Sequence, residues 1–588
     1  MMLAMMIRRR FAIAVTLALA AAPTLIISAS ASAADGVRVA VSGGERPLRD
    51  NIRAHLGLGA LPCDTPELHL RGQLRRADRQ ISRALRALGY YHGQWHLDSE
   101  RLDGDSPCWR VRVTLAPGEP VRVGDLDVRV EGEGAADPRF ARYLAALPLA
   151  PGQRLDHGAY EAIKTELTQR ARSAGYVEGR FKRRTLRVDT RSNLADITLV
   201  YDSGPRYRFG PVRYGPSPLD EGLQRRLVTV VPGEPYEADK LIETQSNLIN
   251  SQYFADVGVD QEPPDRERRE IAVTISTEPR AKYETTAGVG LSTDTGPRLS
   301  YSLANRRVNG AGDTYRLSSQ LSPVQSNLGF QYEQPGDNPL REKTQWSTGW
   351  QREDTDTARS DSFRAEVALI TAGASGWLQT LSLKYLFEDF EIAGERTSSM
   401  LLMPGIGWSK SRANDPRHPT RGWRLGAAVR GAVAGVVSDV TLGQAELDGK
   451  LILPLAGGRL LTRAGIAGTA LDDFDQLPAS LRFFAGGDNS VRGFDYQTLG
   501  PRNSEGEVIG GKHRLTASVE YDHRVWRNFG LAAFLDAGTA FDTQDFNLHQ
   551  SAGFGVRWFS PIGPIRVDFA FPLEEGGFRL HLSMGPDL

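Results

Sequence analysis

The second half of the chain alternates apolar and polar residues over many short segments. Residues 363–369 and 515–521 show the pattern clearly, and Gly, Pro, Asn and Asp separate one such segment from the next. Successive side chains of a strand point to opposite faces, so one face can meet lipid and the other a wet lumen. Sixteen or seventeen segments can be counted. Because bacterial barrels have an even number of strands, we predict a 16-stranded antiparallel transmembrane β-barrel over residues 281–588, with a soluble β-propeller as the alternative.

The first half repeats one unit three times. The sequence Ala-Leu-Gly-Tyr at 87–90 returns as Ser-Ala-Gly-Tyr at 173–176, and Pro-Gly at 151–152 returns at 232–233. In each full copy a strand precedes a helix with apolar residues at i, i+3 and i+4, and two strands follow. This β-α-α-β-β order resembles the polypeptide-transport-associated (POTRA) domain. We place the three modules at 35–119, 120–206 and 207–280.

The N-terminus has the order of a secretory signal. Three arginines at 8–10 precede an apolar stretch at 11–27 and the small-residue sequence Ala-Ser-Ala at 31–33. We therefore predict a signal peptide over residues 1–34, with a membrane anchor as the alternative. An exported protein reaches an oxidising compartment, where Cys63 and Cys108 can form a disulfide; two unpaired cysteines are the other possibility.

Composition excludes several classes of function. The chain has 71 Lys and Arg against 71 Asp and Glu, so its charge gives no support for a nucleic-acid partner. After residue 30 no run of about 18 apolar residues occurs, so any membrane span must be a strand. Gly-x-Ser-x-Gly, His-Glu-x-x-His and a phosphate-binding loop are all missing from the sequence. We therefore expect no catalytic residues, no metal and no cofactor, and an outer-membrane enzyme is the least favoured reading.

Three short motifs carry a family resemblance. Val491, Arg492, Gly493 and Phe494 follow a glycine pair; Phe534, Asp536 and Gly538 form a Phe-x-Asp-x-Gly strand; and Asp415 precedes Pro419, Thr420 and Gly422 in a turn. In this order, after POTRA-like repeats, they resemble the BamA/TamA superfamily of outer-membrane assembly and secretion proteins. The resemblance implies that residues 491–494 lie at the tip of a loop folded into the barrel. An arginine there needs an anion, and we predict that Asp536 supplies it; an exposed hairpin tip with a solvated arginine is the alternative.

The resemblance also implies a weak seam between the first and last barrel strands. We expect these strands at about 285–293 and 577–584. Gly288 and Gly290 weaken the first strand, and Gly577, Leu580 and Leu582 resemble the signal by which such barrels are recognised for insertion.

Module number distinguishes branches of the superfamily. Three modules without a plug helix resemble the TamA branch, which implies a TamB-like periplasm-spanning partner, unfolded outer-membrane protein clients, and residence in the outer membrane of a Gram-negative bacterium. The modules would bind extended polypeptide at their sheet edges, or serve only as rigid spacers. The alternative function is a two-partner secretion pore that exports one polypeptide.

Overall fold

The computed structural model describes residues 37–58, 61, 67–102, 109–543, 546–560, 563–574 and 576–585. The predicted signal segment and both cysteines, Cys63 and Cys108, lie outside the described residues. The chain divides into two compact units between Tyr207 and Arg208. The first unit holds two of the modules, and the second holds the third module and the barrel.

Both modules of the first unit have the predicted β-α-α-β-β order. The first contains β1 (Val37–Ser42), α1 (Arg46–His55), α2 (Glu67–Ala87), β2 (Gln94–Arg101) and β3 (Trp109–Ala116), and the second β4 (Arg122–Glu131), α3 (Pro138–Leu144), α4 (His157–Ser173), β5 (Arg180–Asp189) and β6 (Leu194–Asp202). In each three-stranded sheet the last strand is central. This last strand pairs in parallel with the first strand of its module and antiparallel with the second. The first and second strands therefore form the two edges of the sheet.

The helix faces predicted from apolar spacing are buried. In α4 these are Tyr160, Ile163, Leu167 and Ala171. Asp156 caps the start of α4, because its carboxylate accepts hydrogen bonds from the backbone N–H groups of Gly158 and Ala159.

The repeated glycine follows from the way each long helix ends. Gly89 and Gly175 have φ values of 84° and 88°, a left-handed conformation that glycine adopts without strain and that commonly ends helices. The tyrosine after each is buried in its module's core. In the shared Gly-Tyr motif, the glycine therefore ends the helix and the tyrosine packs the following segment into the core.

The third module belongs to the second unit. It consists of β7 (Arg208–Tyr214), α5 (Glu221–Leu227), α6 (Ala238–Asn250), β8 (Phe254–Gln261) and β9 (Glu270–Pro279). It contacts the turn after the second barrel strand, where the Tyr253 hydroxyl donates to the Gly312 carbonyl oxygen at 2.6 Å. The backbone N–H of Asp220 also donates to the Gly310 carbonyl at 2.9 Å.

The barrel has sixteen strands, as predicted, and each pairs antiparallel with the next. They are β10 (Tyr283–Ser292), β11 (Gly296–Asn305), β12 (Thr314–Leu321), β13 (Gln325–Pro335), β14 (Glu342–Asp354), β15 (Ala358–Ala372), β16 (Leu378–Ile392), β17 (Glu395–Ala413), β18 (Gly422–Ala432), β19 (Leu442–Leu455), β20 (Gly458–Leu471), β21 (His513–Trp526), β22 (Phe529–Phe541), β23 (His549–Ser560), β24 (Gly563–Pro572) and β25 (Arg579–Met584). The sheet order runs from β10 to β25, and these two strands form no ladder. The barrel is therefore nearly closed, with a seam between its first and last strands.

Alternation along the barrel strands separates two surfaces. On β22, Leu535 is exposed while its neighbours Phe534 and Asp536 are buried. On β21, Val519 is exposed between the buried Ser518 and Glu520. The outward surface is thus apolar, and charged groups collect inside. Among the described residues, no helix is both long and apolar enough to cross a membrane.

Candidate functional site

The inward loop, residues 472–512, connects β20 to β21 and folds into the barrel. Val491 and Phe494 are buried together with Ala485 and Leu499 in a small apolar cluster. Gly493 has a φ of 98°, and a Cβ there would lie 3.3 Å from Pro572 of β24. The loop therefore packs against the barrel wall at Gly493. Its left-handed backbone and the nearby Pro572 both disfavour any residue with a side chain at this position.

Arg492 forms the predicted pair with Asp536. Its Nε lies 2.7 Å from Asp536 Oδ2 and its Nη2 lies 2.9 Å from Oδ1, a bidentate geometry. The guanidinium carbon also lies 3.4 Å from the ring centroid of Phe534. A Cβ on Gly538 would lie 2.9 Å from Val491 Cγ2, so the loop occupies the space of a side chain there. The Val-Arg-Gly-Phe motif of the loop and the Phe-x-Asp-x-Gly motif of β22 are thus in direct contact.

The pair is part of a larger group that sequence reasoning missed. We call it the charge cluster: Arg463, Arg492, Arg557, Glu520, Asp536 and Asp568. Arg492 Nη1 lies 2.8 Å from Glu520 and 3.0 Å from Asp568. Arg557, which is fully buried, bridges the same two carboxylates at 2.6 Å each. Arg463, which is half-buried, lies 3.6 Å from Asp536. The cluster thus holds three arginines and three carboxylates, and its formal charges balance.

The four late strands β21 to β24 supply most of the charge cluster. Glu520, Asp536, Arg557 and Asp568 each directly follow an apolar residue of their strand: Val519, Leu535, Val556 or Val567. Charges that recur on the inward face of consecutive strands are the sequence signal that could have revealed them. Which charged residue pairs with which could not be predicted from the sequence, because the strands become neighbours only when the barrel folds.

The turn motif lies apart from the inward loop, between β17 and β18. Asp415 accepts hydrogen bonds from the backbone N–H groups of Arg417 and His418, and these hold the pKa of Asp415 below its usual range. The Pro419 carbonyl accepts from Arg459, which also pairs with Asp522 in a buried contact. The Thr420 backbone N–H donates to Asn414, and Gly422 begins β18. These contacts shape a turn and bring none of the four motif residues to the charge cluster.

The seam is joined just past the end of β10. The Thr293 backbone N–H donates to the Leu582 carbonyl at 3.1 Å, and the Leu582 N–H donates to the Thr293 hydroxyl at 3.2 Å. Of the predicted seam residues, Leu582 makes this contact. Gly288 and Gly290 pair with β11, Gly577 lies in the turn before β25, and Leu580 pairs with Phe569 of β24. The last strand also begins two residues later than expected, at Arg579, because Gly576 and Gly577 adopt positive φ values.

Three potential metal ligands lie beside the seam. The ligand atoms of Asp294, Asp488 and His581 all lie within 4.8 Å of one another. Each of these side chains already hydrogen-bonds to protein groups. Burial and the charge of Asp488 raise the pKa of Asp294 to about 7.

Comparisons with known proteins agree with this architecture. Residues 267–585 match the Omp85 superfamily domain, and residues 38–117 match the POTRA domain described as TamA domain 1. The outer membrane protein assembly factor BamA of Neisseria meningitidis serogroup B is 22% identical over 563 residues, covering 83% of this chain and 69% of that protein.

A solved structure of a BamA protein shows the same fold. The crystal structure of BamA from Haemophilus ducreyi lacking POTRA domains 1–3 superposes with a TM-score of 0.68 at 18% identity, covering 79% of this chain and 99% of that one. CdiB from Escherichia coli gives a TM-score of 0.46 at 15% identity, with 79% and 91% covered. In this family the barrel lies in the outer membrane and the POTRA domains lie in the periplasm. With a family match over more than half of its length, the chain belongs to the Omp85 superfamily, within the BamA/TamA family of outer-membrane β-barrel proteins.

Proposed function

We propose that this protein assembles outer-membrane proteins as a TamA-type subunit, offering the edge of β10 to the strands of an incoming client. The observation that carries the proposal is the seam, where β10 and β25 lie side by side without forming a ladder. Unpaired backbone groups are costly in lipid, and a client strand that pairs with them removes that cost. The inward loop reaches this seam as well, because Asp488 hydrogen-bonds to Ser292 of β10 and to His581 of β25.

The test is to lock the seam. Cysteines replacing Thr293 and Leu582 would join β10 to β25, since their backbone groups are already hydrogen-bonded. The matched control places cysteines at Val567 and Leu582, which face each other on the paired strands β24 and β25. We expect the first disulfide to block assembly of an autotransporter client in reconstituted membranes, with recovery on reduction, and the control to leave assembly intact. Full assembly through a locked seam would refute the proposal.

We propose further that the modules receive a TamB-like periplasm-spanning partner at their sheet edges. In each sheet the strand that comes second along the chain lies at an edge: β2, β5 and β8. An edge strand has free backbone donors and acceptors that an extended polypeptide can pair with. The three edges differ in charge. Arg180, Lys182, Arg183, Arg184 and Arg187 make β5 basic, whereas β8 carries Asp256 and Asp260.

Site-specific photocrosslinking tests the docking surface. A photoreactive residue replaces Ser99, Thr185 or Asp256, which are exposed on the three edge strands, and Arg76, exposed on α2, serves as the control. Crosslinks to the partner from edge positions but not from Arg76 support strand addition. Equal crosslinking from all four positions would contradict it. Recovery of a secreted substrate instead of a periplasm-spanning partner would favour the secretion pore.

A further inference from the structure

One residue of the inward loop touches both strands of the seam. The Asp488 carboxylate accepts hydrogen bonds from the hydroxyls of Ser292 and Thr293, each at 2.9 Å, at the outer end of β10. It also lies 2.6 Å from Nδ1 of His581 on β25. Asp488 and His581 are both buried. A single carboxylate thus joins two strands that do not pair with each other.

The hydrogen bonds around His581 define its tautomer. Its Nε2 lies 2.8 Å from the backbone nitrogen of Gly493, which can only donate, so Nε2 is the acceptor. Nδ1 therefore carries the proton and donates to Asp488. The imidazole is held between two points of the inward loop, and its orientation leaves both ring nitrogens satisfied.

The loop is firmly held on its other side. Val491 lies two residues before Gly493 and packs against β22. Arg492, between them, enters the charge cluster on β20 to β24. Arg463 of β20 also donates to the carbonyl oxygens of Asp488 and Ser490, at 3.3 and 3.2 Å. Asp488 is therefore positioned by the barrel wall as well as by the turn after β10, where its backbone N–H donates to the Asp294 carboxylate at 2.7 Å.

We propose that Asp488 and His581 form a latch through which the inward loop keeps the seam closed, so that loop displacement and seam opening are one coupled event. Among the described residues, β10 and β25 share one hydrogen bond between backbone groups, from Thr293 to Leu582. The latch adds three bonds to a carboxylate, and bonds to a charged acceptor are stronger than neutral ones. The closed state thus depends more on the loop than on strand pairing. The role of the latch in client entry rests on the proposed function, but its effect on the seam does not.

Hydrogen exchange of the full-length protein in lipid nanodiscs, without client, tests the latch. Asp488→Ala removes the acceptor shared by the two strands. We expect exchange to rise about tenfold or more in peptides containing Thr293 and Leu582, and to stay unchanged in β13 to β15, because opening frees the seam amides only.

The matched control is Asp495→Ala. Asp495 lies on the same loop and forms an ion pair with Arg579 of β25, but this pair is partly exposed and does not reach β10. We expect little change at Thr293 in this variant. A second test, Ser292→Ala, removes one donor to Asp488 from the first strand and leaves both contacts between Thr293 and Leu582 in place. It should raise exchange at Thr293 and Leu582 by a smaller factor, and it serves as the test if the Asp488 variant folds poorly.

Unchanged exchange at the seam in both the Asp488→Ala and the Ser292→Ala variants would overturn the latch. An equal effect of Asp495→Ala at Thr293 would also overturn it, since any loop contact would then suffice. Client assembly is measured separately on the same proteins. If exchange rises while assembly is unaffected, the latch stands and entry of clients through the seam is wrong.

Discussion

Removal of Arg492 should destabilise the barrel more than removal of its principal partner. Arg492→Ala leaves Arg463 and Arg557 facing three buried carboxylates, so one negative charge is unbalanced. Breaking a buried ion pair by deleting one partner costs about 3–5 kcal/mol. A cavity of about 50 Å³ borders Arg492 and Glu520 and is large enough for water, which favours the lower end of that range.

The Asp536 variant and the double variant complete a thermodynamic cycle. In Asp536→Ala, Arg492 keeps Glu520 and Asp568 as partners, so we expect a loss of about 2 kcal/mol. The double variant restores equal numbers of positive and negative groups. It should therefore lose about 3 kcal/mol, close to Arg492→Ala alone, which corresponds to a coupling of about 2 kcal/mol. Arg492→Lys keeps the charge but not the bidentate geometry and should fall between wild type and Arg492→Ala.

Urea unfolding in detergent micelles, followed by tryptophan fluorescence, gives the free energies of unfolding. The control cycle uses Arg359 and Asp354, whose ion pair has the same 2.7 Å separation but is exposed to solvent. Exposed pairs contribute little, so we expect no measurable coupling in the control. If the losses in the Arg492 and Asp536 single variants add to within about 0.5 kcal/mol in the double variant, the two residues act independently and the reasoning fails.

Three further predictions concern the modules. Cys63 and Cys108 should be recovered as one disulfide-linked peptide pair by mass mapping of the exported protein without reductant; two free thiols would contradict this. Gly312→Ala places a Cβ 2.4 Å from Leu223 and 2.7 Å from Tyr253 and should speed proteolysis between the third module and the barrel, whereas Gly152→Ala, with a similar φ and open space, should not. Burial favours a raised pKa for Asp137, but hydrogen bonds from Arg139 and Tyr176 lower it to about 2. Since its unfolded value is near 3.8, Asp137 stabilises the second module above about pH 4, by about 2 kcal/mol, and this is lost as the pH falls towards 2. The gap in unfolding free energy between wild type and Asp137→Asn should shrink accordingly; a gap independent of pH would contradict the assignment.

The sequence by itself determined the elements of this protein. An alternation of period two predicts sixteen or seventeen barrel strands, because a pleated strand exposes every second side chain to one face, and the even number expected of bacterial barrels selects sixteen. The helices of the modules follow from apolar residues at i, i+3 and i+4, and the left-handed Gly89 and Gly175 mark where two of them end. These signals lie within short segments of the chain, so they can be recognised without knowing which other elements each segment packs against.

Motif resemblance brought together Arg492 and Asp536, which lie 44 positions apart in the chain. It did not reveal that Glu520, Asp568 and Arg557 complete the cluster, since their inward-facing positions acquire common neighbours only when β21 to β24 pair in register.

Only the tertiary structure decided how the seam is held. Ser292 and Asp488 are 196 positions apart, and Asp488 and His581 are 93 apart. Their meeting requires the sheet to curl until its first and last strands adjoin, and the loop to fold inward to the same point. The glycines of β10 were reasonable candidates for the seam because they weaken a strand, yet β10 pairs along its whole length with β11. The register at which a barrel closes is set by the tilt and stagger of all its strands together, and no short segment of the chain carries that information.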